Sequence, residues 1–209
     1  MSKWTFNSQG KPVLVLGVQA HNSSSYTAEE METAWEALEA MHGNTMEVPV
    51  YWDKIEPEEG KFDFEMVDYL LAQARERGKY LVFLWFASWK NGNMKYCPLW
   101  VKRDKQRFHR VLNEEGVAVA SLSPHWQPNR DADAKAFRAL MKYIKQVDGE
   151  QQTLLAVQVE NEPGFVARTA YDHGPDGQRM LAEQVPQRVV DFIEKEGRGS
   201  EYEAWVAAG

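Results

Sequence analysis

The sequence predicts an α/β protein with a parallel sheet, because strand-like and helix-like segments alternate four times along its 209 residues. Both a doubly wound sheet and a (β/α)8 barrel satisfy this alternation. Two further observations favour the barrel. No Gly-x-Gly-x-x-Gly turn follows the first strand, and polar residues recur on one face of two strands, as the lumen of a barrel requires.

The first elements follow from the spacing of apolar residues. A short apolar run from Val13 to Val18 predicts a buried strand. Thr27 and Glu30 have the spacing of a capping box, and the apolar residues after them recur at helical intervals. The segment from Thr45 to Trp52, rich in valine and aromatic residues, predicts a second strand, and Glu65 to Gly78 predicts a second helix.

The later elements continue the alternation. The segment from Tyr80 to Phe86 is apolar throughout, which is typical of a strand covered on both faces. We expect a long loop from about Ala87 to Arg130, a helix that opens at Asp131, and a fourth strand from Thr153 to Glu162. A last helix is predicted from Val185 to Glu196. The chain therefore predicts a (β/α)8 barrel of which only about the first four βα units are present.

Alternation along the second and fourth strands indicates which face would line the lumen. We expect Val157 and Val159, of the opposite parity, to pack against helices. The lumen-facing residues would be Glu47, Pro49 and Tyr51 on the second strand, and Gln158, Glu160 and Glu162 on the fourth.

Composition excludes several classes of protein. With 24 basic and 31 acidic residues the formal net charge is −7, which argues against a nucleic-acid partner. No apolar run reaches the length of a membrane span. Cys97 is the single cysteine and the start of the chain lacks the apolar region of a signal peptide, so a cytoplasmic location is predicted. The five histidines lack metal-ligand spacing, and we expect neither a metal nor a cofactor.

The segment from Gln158 to Gly164 ends the most apolar late stretch of the chain in two carboxylates and an amide. A desolvated carboxylate needs partners or a raised pKa. Glu162 at a strand end suits the proton donor of glycoside hydrolysis, and Asn161 could bind a sugar hydroxyl. Glu160, two residues deeper, is expected to be a structural carboxylate. From this segment alone, a strand end merely exposed to water is an equal alternative.

Three ordered segments resemble the β-galactosidases of glycoside hydrolase families 35 and 42: Asn44 to Trp52, Glu56 to Phe64 and Gln158 to Gly164. These families belong to a clan of retaining (β/α)8 hydrolases whose acid/base follows an asparagine at the end of strand four. The segments from Trp85 to Gly92 and from Cys97 to Lys102 are most similar to the bacterial branch of family 35. The resemblance runs from about residue 12 to residue 195.

The resemblance implies roles for individual residues. Glu162 would be the general acid/base and Asn161 its sugar-binding neighbour. Trp52 and Trp89 become candidate walls of sugar subsites, with core or loop packing an equal alternative for each. Glu47 is a further candidate substrate-binding residue.

Two departures from the family pattern matter. Many family 35 enzymes carry a galactose-binding tyrosine at the position of Pro49 and a glutamate at that of Ser88, so the sugar stays open. The clan's nucleophile is a glutamate at the end of strand seven, and only 47 residues follow Glu162. We therefore expect residues 1–209 to be one truncated catalytic domain, its amino-terminal half.

The function expected from the sequence is that of a retaining β-galactosidase-like hydrolase acting on carbohydrate, with no activity in this chain alone. One alternative is a non-catalytic half barrel that binds sugar or serves in assembly. Another is a clan relative that acts on a different β-glycoside. A half barrel leaves two strand edges unpaired, so we also expect self-association.

Overall fold

A computed structural model describes residues 6–164 and 169–196, together with 203, 204 and 207. In this part of the chain, no helix is long and apolar enough to cross a membrane. The strands are β1 (Phe6–Ser8), β2 (Lys11–Val13), β3 (Gly17–Gln19), β4 (Thr45–Tyr51), β5 (Tyr80–Lys90), β6 (Arg110–Leu112), β7 (Ala118–Leu122) and β8 (Leu154–Asn161). The helices are α1 (Ala28–Ala40), α2 (Trp52–Ile55), α3 (Glu65–Glu76), α4 (Leu99–Arg103), α5 (Gln127–Asp148), α6 (Pro175–Ala182) and α7 (Gln187–Glu196), and Ser24–Tyr26 forms a 3-10 turn.

The centre of the molecule is a four-stranded parallel sheet in the order β3-β4-β5-β8. Neighbours in the sheet are also successive strands of the chain's βα units, which confirms the predicted alternation. Two antiparallel hairpins, β1–β2 and β6–β7, lie outside this sheet. The carboxyl ends of the four parallel strands consequently share one edge, where Asn161 closes β8.

The main core lies between the sheet and the helices α1, α3 and α5. Trp35 of α1 and both Phe83 and Trp85 of β5 are fully buried there. Burying such a side chain stabilises the fold by about 1.5–3 kcal/mol. On the other face of the sheet, Tyr51 of β4 and Phe86 of β5 belong to a smaller aromatic cluster.

Local signals explain where two helices begin. Thr27 accepts a hydrogen bond from the backbone N–H of Glu30 at 3.2 Å, which confirms it as the N-cap residue of α1. The Glu30 carboxylate accepts from the Thr27 hydroxyl at 3.2 Å rather than from the Thr27 backbone N–H of a full capping box. Helix α5 begins at Gln127, four residues before the predicted start at Asp131. Pro128 occupies its first turn, where a missing N–H costs nothing.

The first predicted strand was placed wrongly. The segment from Val13 to Val18 is divided between β2 and β3, and Leu14 and Leu16 are 76% and 56% exposed. The side chain of Asn44 takes the place of a strand neighbour here. Its amide donates to the Leu14 carbonyl at 2.7 Å and its oxygen accepts from the Leu16 N–H at 2.8 Å.

Two other predictions need correction. The loop expected from Ala87 to Arg130 contains the end of β5, the helix α4 and the hairpin β6–β7, whose turn is fixed by Asn113 accepting from the Val117 N–H at 2.7 Å. Val157 packs against the core as predicted, whereas Val159 is 59% exposed. β8 is the edge strand of the described sheet, and Val159 lines a cavity beside Phe137 of α5 instead of being packed closely against that helix.

Candidate active site

The end of β8 is held against β5 through an irregular register. Val159 pairs with Trp85, but Asn161 pairs with Lys90, so β5 bulges beside the end of β8. The Asn161 amide donates to the Asn91 side chain at 2.9 Å, and its oxygen accepts from Gln158 at 2.9 Å. These bonds fix the orientation of the Asn161 side chain at the carboxyl edge of the sheet.

Glu162 follows directly and is exposed. Its φ is 49° and that of Glu160 is 61°, both in the left-handed region, which costs a non-glycine residue about 1–2 kcal/mol. Such strain is concentrated at functional sites. Lys90 lies near Glu162: burial lowers the pKa of the Lys90 ammonium, and the Glu162 carboxylate partly offsets that shift.

Glu160 is half-buried and makes a hydrogen bond of the kind expected of a structural carboxylate. Its Oε2 accepts a hydrogen bond from the Trp89 backbone N–H at 2.7 Å. Burial raises the pKa of Glu160 to about 10, and the neighbouring carboxylate of Asp133 adds to the rise. Glu160 is therefore the more enclosed of the two carboxylates, and Glu162 is exposed.

Trp89 lies at the end of β5 and is 8% exposed. It lines a cavity of about 360 Å³, together with Glu160, Asp133 and the aromatic ring of Phe137. The structure therefore brings Trp89 to the same strand ends as the Asn161–Glu162 pair, with most of its indole covered.

Trp52 lies elsewhere, and its proposed role as a subsite wall needs correction. Its side chain is fully buried in the main core, where its indole meets that of Trp100 edge-on at 5.8 Å. The Trp52 Nε1–H donates to Glu56 at 3.0 Å. Glu56, also fully buried, accepts from the Gly60 N–H at 2.8 Å and thereby fixes the loop after β4. Core packing, the alternative role of Trp52, fits this geometry.

Glu47 is half-buried near the middle of β4. The sheet register places it level with Val82 of β5, which is in turn level with Ala156 of β8. Ala156 precedes Glu162 by six residues, so Glu47 lies deeper in the sheet than the Asn161–Glu162 end.

Two residues that shape this region were missed by reasoning from sequence. Asn91 carried a signal, because Asn91-Gly92 is a turn-forming pair directly after a strand. Asp133 carried none, since its position within a polar helical turn is ordinary for a solvent-exposed acid. Among the described residues, no group of three or more histidine, cysteine or carboxylate side chains is arranged to hold a metal ion.

Two solved structures of glycosidases are similar to this chain. One is a catalytic mutant of a family 42 β-galactosidase from G. stearothermophilus, with a TM-score of 0.57 and 19% identity over 82% of this chain. The other is an exo-β-1,4-mannosidase from an Opitutaceae bacterium, with a TM-score of 0.55 and 18% identity over 84% of this chain. The chain covers 24% and 29% of those two proteins. The likeness confirms an α/β fold of partial-barrel type.

The family-level comparison is more specific. No curated protein matches the chain. The family model described as β-galactosidase, glycoside hydrolase family 42, matches residues 21–183, more than half of the chain. The preference for family 35, which rested on the segments from Trp85 to Gly92 and from Cys97 to Lys102, is not supported, because the model that matches is that of family 42. The chain therefore belongs to glycoside hydrolase family 42 and to the wider clan of (β/α)8 glycosidases.

Proposed function

We propose that this chain carries the acid/base half of the active site of a retaining β-galactosidase-like hydrolase. Glu162 is the general acid/base and Asn161 its sugar-binding neighbour. The observation that carries the proposal is the position of this pair at the carboxyl end of a parallel strand, in a chain of family 42. Active sites of such barrels lie at that edge of the sheet.

The surroundings of the pair support these roles. The hydrogen bonds with Asn91 and Gln158 hold the Asn161 amide in one orientation, which suits it to recognise a sugar hydroxyl. Glu162 is exposed and so open to a substrate's glycosidic oxygen. Trp89 and Glu47 remain proposed sugar contacts, Trp89 because it lies at the same strand ends and Glu47 because of its half-exposed carboxylate.

A retaining mechanism requires a second carboxylate about 5 Å from the first. Glu160 does not suit this role, because burial and the Asp133 carboxylate raise its pKa and its Oε2 already accepts from the Trp89 backbone N–H. We propose that the nucleophile is supplied by polypeptide outside these 209 residues.

We also propose a cytoplasmic location, which the single, buried Cys97 supports.

The 209-residue chain alone should not hydrolyse an aryl β-galactoside above the buffer blank. Without the nucleophile, the acid has no partner to form the glycosyl-enzyme intermediate. Release of the aryl chromophore measures this directly. Turnover that is lost on replacing a glutamate after residue 190 would contradict the missing nucleophile.

The second candidate is a non-catalytic sugar-binding half barrel, which the same sample tests by calorimetry with mono- and disaccharides. Heat of binding without hydrolysis would favour it. The third candidate is a hydrolase of the same clan that acts on a different β-glycoside. Comparing the binding of galactosides with that of other β-glycosides tests it. That candidate is supported by Pro49 and Ser88, which depart from galactose-binding residues.

We also propose that the chain self-associates through its open sheet edges. In the described part of the structure, β3 and β8 have neighbours on one side only, and Val159 on β8 is 59% exposed. Unpaired edges with apolar side chains are templates for pairing with another chain. Light scattering should therefore give a mass above 24.0 kDa that rises with concentration.

The matched pair for that measurement is Val159→Lys and Val117→Lys, because the two valines are equally exposed. A lysine at Val159 on the sheet edge should lower the association, whereas one at Val117 in the β6–β7 turn should not. A monomeric wild type at all concentrations would contradict the proposal.

A further inference from the structure

Helix α5 reaches the ends of two strands through one carboxylate. Asp133, in the second turn of α5, accepts from the Trp85 indole N–H at 2.9 Å and from the Ser88 backbone N–H at 3.0 Å. Glu160, which precedes the Asn161–Glu162 pair, accepts from the next backbone N–H, that of Trp89, and both carboxyl groups line one cavity. Asp133 therefore connects the end of β5 to the end of β8.

The two carboxyl groups lie close together, because consecutive backbone amides, those of Ser88 and Trp89, donate to them. An ionised carboxylate only accepts hydrogen bonds, so two carboxyl groups can be hydrogen-bonded to each other only if one of them holds a proton. None of the ion pairs formed by the described residues involves either group. Two uncompensated negative charges on consecutive backbone amides, at half-buried residues, would repel strongly.

We propose that Asp133 and Glu160 share one proton and act together as positioning residues, which fix the strand end that presents Asn161 and Glu162. With the proton in place, Glu160 accepts from the Trp89 N–H and stays bonded to Asp133, so its left-handed backbone is maintained. Loss of the proton places two anions together, and the end of β8 moves away from α5. The consequence for catalysis rests on the proposed role of Glu162.

Within the described part of the chain, few other titratable or charged groups lie near this pair. From α5, Arg130 lines the same cavity. Cys97, in the segment before α4, is close enough for both carboxylates to raise the pKa of its thiol, although burial is the larger cause. From β5, the groups that bond to the pair are the backbone amides of Ser88 and Trp89 and the indole of Trp85. The pKa of Glu160, raised by burial and by Asp133, agrees with a shared proton.

Carboxyl carbon and backbone amide NMR of the 209-residue chain across the neutral and alkaline range tests the proposal without any turnover. In the wild type, one carboxyl of the pair should remain protonated at neutral pH. The amide signals of Asn161 and Glu162 should move together when that proton is lost at alkaline pH.

Two variants separate the shared proton from simple packing. In Glu160→Gln the amide can donate to Asp133 and accept from Trp89, so the alkaline step should disappear while the Asn161 and Glu162 signals keep their neutral-pH positions. In Asp133→Asn the new amide donates to an ionised Glu160. The pH at which the Asn161 and Glu162 amide signals move should therefore fall by about two units. Should Asp133→Asn not fold, the Glu160→Gln result decides alone.

The control is Asp68→Asn, which removes a carboxylate that is hydrogen-bonded to Tyr143 on the outer surface, and it should leave the alkaline step in place. Two carboxylates both ionised at neutral pH, or an alkaline step at Asn161 that persists in Glu160→Gln, would overturn the proposal. Such a failure concerns the pair only, because the role of Glu162 is tested by hydrolysis and not by these spectra.

Discussion

In a polypeptide in which residues 1–209 are followed by the remaining strands of the barrel, Glu162→Gln should lower kcat/KM for galactosides with poor leaving groups by about 100- to 10,000-fold. This is the usual contribution of a positioned general acid. An alkoxide leaving group needs a proton in the transition state, and a glutamine at the end of β8 cannot supply one. An activated phenol leaves as a stable anion, so its kcat/KM should fall far less.

The measurement compares kcat/KM for an alkyl and a dinitrophenyl β-galactoside in the wild type and in Glu162→Gln. Azide should restore turnover of the activated substrate, because it attacks the glycosyl-enzyme without the general base that water needs. Glu114→Gln, at an exposed acid in the β6–β7 turn, is the control and should change neither constant. Equal losses on both substrates would refute the acid/base assignment of Glu162.

Much of the sheet could be predicted because its strands are rich in apolar residues. The segments that form β4, β5 and β8 contain apolar runs typical of strands covered on both faces. A central strand of a covered sheet is one of the few positions that buries all the side chains of such a run. The prediction of the first strand was wrong for a local reason. Leu14 and Leu16 look apolar enough for a buried strand, but their backbone groups bond to the Asn44 side chain, a contact that apolar spacing does not encode.

Some residues of the candidate site could likewise be predicted from the sequence and others could not. Asn161 and Glu162 could be located because a strand that ends in acids is a local pattern with a physical meaning. The partner of Glu160 could not, because Asp133 lies 27 residues earlier and meets it only after α5 has packed on the sheet. Trp52, by contrast, was predicted as a site residue but lies in the core. An aromatic residue at a strand end has the same local sequence whether it points to the core or to a cleft.

The stability of the wild-type chain should fall as pH rises from about 5 to about 9, and Glu160→Gln should remove much of that fall. In the unfolded chain Glu160 loses its proton near 4.5, the ordinary pKa of a glutamate, whereas in the folded chain its pKa is about 10. Between those values the folded state binds more protons than the unfolded state. The free energy of unfolding therefore decreases with rising pH, by at most about 1.4 kcal/mol per pH unit.

Chemical denaturation and thermal unfolding at about pH 5, 7 and 9 measure this difference. Glutamine can donate a hydrogen bond to Asp133 and accept one from the Trp89 N–H without an ionisable proton, so at about pH 9 the variant should be more stable by about 3 kcal/mol. For a chain of this size that corresponds to about 6–12 °C in Tm. At the acid end of the range the two proteins should unfold almost together, because both folded states then carry a neutral side chain at position 160.

Glu150→Gln, at an exposed carboxylate after α5, serves as the matched control and should leave the pH slope of stability unchanged. The contrast matters because both substitutions remove one carboxylate, but Glu150 is exposed, whereas burial and Asp133 raise the pKa of Glu160. If Glu160→Gln destabilised the chain equally at both ends of the pH range, Glu160 would contribute through packing and hydrogen-bond geometry alone, and the pH slope would have to arise from other groups.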